Sequence, residues 1–155
     1  MSEHGRRVTR RGRVLASTNM QARRWRTVAY WERQGVAGIE YIRRVLTEAG
    51  DQPDHPGLWK LHLKLETENL DAGGPAYEYY VLRHRYIHDA FADAVRTGQE
   101  SGDIRPDADP DLVAAQILAF MNGMWLHVGH GPKDVRPDAV FRDFTERLVR
   151  DLTTG

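Results

Sequence analysis

The segment that most constrains the fold is the apolar run that begins at Asp109. An N-cap residue, a proline suited to the first turn and an acidic residue near the positive end of the helix dipole form a strong helix start at Asp109, Pro110 and Asp111. The predicted helix continues to about His130, where a Gly-Pro pair ends it. Apolar residues occupy most of its sides, which indicates burial from more than one direction. In a chain of 155 residues, we expect a partner subunit to cover one side.

The composition excludes several classes of protein. The chain has no cysteine, which excludes disulfide scaffolds, cysteine-ligated zinc and thiol nucleophiles. Its 41% apolar and 28% charged residues are typical of a soluble globular domain. Gln116, Asn122 and His127 interrupt the longest apolar stretch, so no membrane span is expected. The Arg-rich N-terminus lacks the apolar segment of a secretory signal. We therefore expect a cytoplasmic protein without a membrane partner.

Helical periodicity accounts for the other long segments. It predicts helices over 36–50, over 75 to 98 or 102, and over 137–152. The segment 58–70 is ambiguous, because its apolar residues alternate as in a strand but also fit two helix faces. We favour a helix there, since the sequence offers no other strand to pair with it. The expected fold class is all-α, with five helices and no sheet.

Charge is divided unevenly along the chain. Residues 1–35 carry nine arginines and two glutamates, whereas the remaining residues carry an excess of acidic side chains. We expect a basic, poorly ordered arm over 1–34 and a helical domain over 35–153, with weak nucleic-acid contact through Arg6, Arg7, Arg10 and Arg11. The alternative is a solvated tail without function. A short helix can form within 21–33, but we place no core there.

Motifs for catalysis are absent, and the histidines are the sharpest chemical signal. The chain has no Gly-x-Ser-x-Gly, P-loop or Gly-x-Gly-x-x-Gly sequence, so no catalytic residue and no cofactor is assigned. His84 and His88 lie one helical turn apart and can reach one metal. No Glu lies between them to act as a base, so we predict no metal site and expect hydrogen-bonded core histidines. A metal-dependent helical enzyme remains the alternative, using a set of His62, Glu66, His84, His88 and His127.

Aromatic residues and methionines concentrate in the central helices. Most of them are expected to form a packed core. The functional alternative is an apolar small-molecule pocket with a few polar side chains, namely His62, Arg83, His84 and Asn122. A third reading of the chain is a helical module that binds a partner helix.

The order of motifs from Gly35 to Val149 resembles a known family. The most specific part is the turn Gly98-Gln99-Glu100-Ser101-Gly102-Asp103-Ile104, followed by Asp109-Pro110 and by a helix of small residues that reaches Asn122-Gly123. This order is similar to the C-terminal ligand-binding and dimerisation domain of TetR-family transcriptional regulators. The resemblance covers about three quarters of the chain.

The resemblance implies roles for particular residues. It implies a homodimer in which the last two helices form a four-helix bundle with their copies, through Leu118, Gly123, Leu126, Phe141, Phe144 and Leu148. It implies a pocket for an apolar or aromatic effector lined by Trp59, Leu63, Tyr80, His84, Ile87, Phe120 and Met124. The family's helix-turn-helix head is not found in residues 1–34. We therefore expect the chain to contact DNA only weakly, or through a mixed dimer with an intact relative.

Overall fold

The computed structural model describes residues 28–51, 56–131 and 134–153, with the backbone alone for 56–59. Residues 28–33 form a helix, α1. It is followed by α2 (Gly38–Gly50), α3 (Pro56–Thr67), α4 (Tyr77–Ser101), α5 (Pro110–His130) and α6 (Pro137–Thr153). No strand occurs in these ranges, so the all-α class is confirmed. The ambiguous segment around Leu63 is a helix, as expected.

α4 lies at the centre of the domain. It packs against α2 on one side and α5 on the other, and α2 also packs against α6. The side chains buried between these helices form the main core; its largest members include Tyr41, Ile42, Leu46, Phe91, Val95, Ile117, Phe141 and Leu152. Burial of aliphatic and aromatic surface on this scale is the main stabilising contribution in a domain of this size.

The turn after α4 brings the chain back onto the core. Gly102 ends the helix in the left-handed conformation, with φ of 80°, which an L side chain rarely adopts. The backbone N–H of Ile104 donates to the carbonyl of Gly98 at 3.0 Å, and the amide of Gln99 donates to the carbonyl of Ala108 at 2.8 Å. Gly98, Gln99, Gly102 and Ile104 therefore all take part in closing this turn.

The start of α5 lies where Asp109, Pro110 and Asp111 predict it. The carboxylate of Asp109 accepts hydrogen bonds from the backbone N–H groups of Asp111 at 2.9 Å and Leu112 at 3.2 Å. These are two of the amide groups that a helix leaves without intrahelical partners. Asp109 is therefore the N-cap that the sequence predicts.

The first helix belongs to the domain rather than to the basic arm. Val28 is 4% exposed and lies in the main core, and Trp31 packs against it. The indole of Trp31 donates to Glu48 at 3.1 Å, and the hydroxyl of Tyr86 donates to Glu32 at 2.8 Å. The expectation that residues before 35 contribute no core is therefore wrong for 28–34. The arginines around them obscure the helical periodicity.

α5 is the most apolar helix and is also incompletely covered. Among the residues that the structure describes, it alone is long and apolar enough to cross a membrane, by length and composition only. Within the chain, 33% of its most apolar stretch is buried. Core helices of soluble proteins can have the same length and apolar composition.

Candidate functional site

A polar cluster joins α3 to α4. Glu66 on α3 lies at its centre, with its side chain 15% exposed. His62 Nε2 lies 3.1 Å from Glu66 Oε2, while Arg83 Nη1 and His84 Nδ1 lie 3.5 Å and 3.6 Å from Oε1. His62 and Glu66 are one turn apart on α3, and Arg83 and His84 come from the facing side of α4. One carboxylate therefore connects three basic side chains across the helix pair.

The environment of Glu66 keeps its carboxyl group ionised. Burial by itself raises the pKa of Glu66, because a low dielectric disfavours the charged form. The polar contacts with His62 and His84 and the charge of Arg83 act in the opposite direction and outweigh burial. The net result is a pKa well below the ordinary value of 4.5. The cluster thus contains a fixed negative charge next to the fixed positive charge of Arg83.

Arg83 is the most unusual member of the cluster. Its side chain is 8% exposed, which is rare for an arginine. Its Nη1 donates to Glu66, but no acceptor among the described residues reaches its buried Nε. A buried donor without a partner is energetically costly, so this atom marks a place where an acceptor is missing.

An apolar wall adjoins the polar cluster. Leu65, Ala76 and Tyr80 form a second buried group, separate from the main core, with Leu61 and Tyr79 packed against it. The ring of His62 lies 5.9 Å from that of Tyr80, so the wall and the cluster are in contact.

A buried asparagine fixes the loop beside this wall. Asn69 is 4% exposed; its amide donates to the carbonyl of Leu65 at 2.6 Å, and its oxygen accepts from the N–H of Ala76 at 3.0 Å. Asn69 was not among the residues predicted to have a role at the site. Asn69 lies near the end of the predicted helical segment 58–70, and Asn close to a helix end is common where it has no such role.

The structure separates the expected pocket residues into two groups. Tyr80 and His84 lie at the polar cluster and its wall, and Leu63 is half-buried on α3. Ile87 and Met124 belong to the main core. Phe120 stacks on Phe144 with ring centroids 3.7 Å apart. The side chain of Trp59 lies outside the described residues, as do Arg6, Arg7, Arg10 and Arg11.

The histidine pair considered for metal binding does not converge. His84 faces Glu66 on α3, whereas His88 Nε2 lies 3.3 Å from the carbonyl of Asp111 on α5. No three His, Asp or Glu side chains in the described ranges are arranged to hold a metal ion.

The expected interface residues also differ in their exposure. Phe141 is 1% exposed and Leu118 6%, and both lie in the chain's own core. Their side chains are thus already covered within one chain. Helix phase alone does not tell which apolar side the chain itself buries. Phe144 and Leu148 are partly buried against the core, while Leu126 is 44% exposed and Gly123 is exposed.

Comparison with known families decides the identity of this helical domain. Residues 77–153, from the start of α4 to the end of α6, match the C-terminal domain of BetI-type transcriptional repressors. This half of the chain is a TetR-family C-terminal domain. No curated protein and no solved structure is similar enough to the chain to match it.

TetR-family membership gives α4, α5 and α6 a common context. The family is regulatory rather than enzymatic, and its members act as dimers that bind small-molecule effectors. The polar cluster lies at the N-terminal end of the matched region, with Arg83 and His84 inside it and His62 and Glu66 on the helix before it.

Proposed function

We propose that this chain is the sensing and dimerisation part of a TetR-type regulator, which changes transcription in response to an apolar or aromatic small molecule. The match of residues 77–153 to the repressor C-terminal domain carries this proposal. Effector binding would act by shifting the population between dimer geometries that favour and disfavour DNA binding. Such a regulator works in the cytoplasm.

The uncovered side of α5 supports dimerisation. Leu112 and Leu126 are 62% and 44% exposed at the two ends of this side. Between them lie the small exposed residues Ala115, Ala119 and Gly123, at helical spacing. A Cβ added at Gly123 would have no heavy atom within 4 Å, so a second helix has room to approach closely here. Two copies of this surface, flanked by α6, would form a four-helix bundle.

The surface between α3 and α4 supports sensing. The apolar wall at Leu65 and Tyr80 supplies contact area, and the adjacent polar cluster supplies oriented hydrogen-bonding groups. This combination is typical of small-molecule sites. An effector bound here would touch α4, which packs against both α2 and α5.

We propose two sources of DNA contact for this chain. The matched residues are the C-terminal domain of the repressor family, not a DNA-reading unit. One source is phosphate contact by the arginines of the basic segment within residues 1–34, and the other is a mixed dimer with a relative that carries a reading head. Contacts from arginine alone give weak binding that depends steeply on salt and little on sequence.

The dimer is tested by sedimentation equilibrium at micromolar concentration on the wild-type chain, on Leu126→Arg and on Leu82→Arg. Leu82 is 63% exposed on α4 and serves as the matched control. We expect a wild-type dimer that Leu126→Arg dissociates and Leu82→Arg preserves. A monomeric wild type, or equal effects of the two substitutions, would overturn the proposed interface and favour a module that binds a different partner.

A further inference from the structure

We infer that the effector bound between α3 and α4 is an apolar or aromatic carboxylic acid, whose carboxylate pairs with the guanidinium group of Arg83. This inference rests on the sensing function proposed above and names its ligand class.

Arg83 lacks an acceptor at its buried Nε among the described residues. Arginine presents its donors on planar edges, and a carboxylate can accept from two donors on one edge at once. Nη1 of Arg83 is directed at Glu66, whereas the edge that carries Nε has no acceptor at that atom among the described residues. The buried group that is not satisfied is therefore a donor, which calls for an acceptor on the ligand rather than for a cation.

The negative charge of Glu66 lies next to the proposed ligand position. Glu66 is already contacted by His62, Arg83 and His84, so its own hydrogen-bonding capacity is used within the cluster. Glu66 and a ligand carboxylate would occupy different edges of one guanidinium, which keeps the two anions apart. A singly charged, planar group fits this arrangement better than a phosphate dianion, whose larger charge is costlier to bury beside Glu66.

The surroundings of the cluster provide both access from solvent and an apolar surface for the body of the ligand. The side chain of His84 is 45% exposed, so the cluster borders solvent on that side. On the other side, the apolar wall of Leu61, Leu65, Ala76, Tyr79 and Tyr80 adjoins the cluster. Tyr79 and Tyr80 lie four and three residues before Arg83, so these side chains share one face of α4. A ligand with an acidic head and an apolar body fits this arrangement, in which the apolar wall adjoins the polar cluster.

The test compares acids with their uncharged counterparts. Isothermal titration calorimetry on the full chain at pH 7 would use benzoate, phenylacetate and octanoate against benzamide, phenylacetamide and octanamide. Each pair has the same body and differs in the charge and donor pattern of the head group. We expect at least one acid to bind about tenfold to a hundredfold more tightly than its amide, as one charge-assisted bidentate contact implies.

Two arginine substitutions locate the effect. Arg83→Lys keeps the charge but removes the planar edge, and we expect it to abolish the preference for the acid. Arg85→Lys on the exposed side of the same helix is the control and should retain the preference. Circular dichroism and thermal unfolding establish that both variants fold; if Arg83→Lys does not, the acid and amide pairs on the wild type still decide the question.

The outcomes separate this inference from the function on which it rests. If amides bind as tightly as acids, sensing stands and the role of Arg83 is wrong. If Arg83→Lys and Arg85→Lys lose the preference equally, the acid binds elsewhere, and the inference is likewise overturned. If no compound of either series binds, the sensing function and the inference fail together.

Discussion

Gly98 of α4 lies directly beneath the side chain of Ile104, and a Cβ at Gly98 would occupy the space of that side chain. Ile104 is 2% exposed and belongs to the main core. We therefore expect Gly98→Ala to destabilise the domain by about 1–3 kcal/mol, since overpacking outweighs the better helix propensity of alanine. Urea unfolding followed by circular dichroism measures the change. The exposed neighbour Thr97→Ala is the control, and an equal effect of both substitutions would contradict the packing explanation.

The N-cap of α5 gives a second prediction. Asp109→Ala removes the acceptor for the N–H groups of Asp111 and Leu112, and we expect a loss of about 1 kcal/mol in the free energy of unfolding. Asp109→Asn keeps a capping oxygen and should remain close to wild type. The midpoint of thermal unfolding distinguishes them. If Asn is as destabilising as Ala, the charge rather than the cap would be the stabilising feature.

The lowered pKa of Glu66 predicts that the stability of the domain depends on pH. Its pKa is lower in the folded state than the ordinary value of 4.5, so on acidification the unfolded state takes up the proton first. The stabilisation is therefore complete above about pH 5 and declines as the pH falls below that value. We expect Glu66→Gln to destabilise the domain by about 3 kcal/mol at pH 7, because the buried charge of Arg83 loses its partner, and by progressively less toward pH 2.

The matched control for this pH series is Glu68→Gln, since Glu68 is exposed and contacts Lys64 at 3.9 Å on the surface. Chemical unfolding at several pH values gives both profiles. A constant difference between Glu66→Gln and wild type from pH 7 to pH 3 would show that Glu66 stabilises by packing and not through its charge.

The substitution Gly123→Ala is predicted to stabilise the monomer but to weaken the dimer. In a monomer, Gly123→Ala should stabilise the exposed helix by up to about 1 kcal/mol, since nothing lies near the added methyl group. In a dimer that packs closely at this position, the same methyl group should weaken association. Sedimentation measures the dissociation constant, and unfolding at low protein concentration measures the monomer. Unchanged or tighter association would rule out close approach of two α5 helices at Gly123.

The helices themselves could be predicted from the sequence because their ends carry local signals. Asp109 and Gly102 act as caps through contacts within a few residues, so the sequence alone predicts these two helix ends. The face of α4 could be predicted only in part. Val81 is apolar yet 36% exposed, whereas Arg83, expected only as a polar group at a pocket, is buried.

The candidate site could not be derived because its contacts join distant parts of the chain. Arg83 is buried because Glu66, 17 residues earlier, neutralises it, and periodicity contains no information on such a partner. His62 and Glu66 are four residues apart, and this local spacing is enough to place them on one face of α3. Phe141 illustrates the same limit, because an apolar residue on an amphipathic helix can face either the chain's own core or a second copy.

The packing of α2 against α6 has a consequence for biosynthesis. Gly50 on α2 lies so close to Phe141 on α6 that an added Cβ would be 2.6 Å from the Cβ of the phenylalanine. α2 leaves the ribosome early and α6 late, with α3, α4 and α5 between them. The apolar face of α2 therefore stays without its final neighbour during most of translation. Nascent chains that stall before α6 would expose that face to chaperones and proteases.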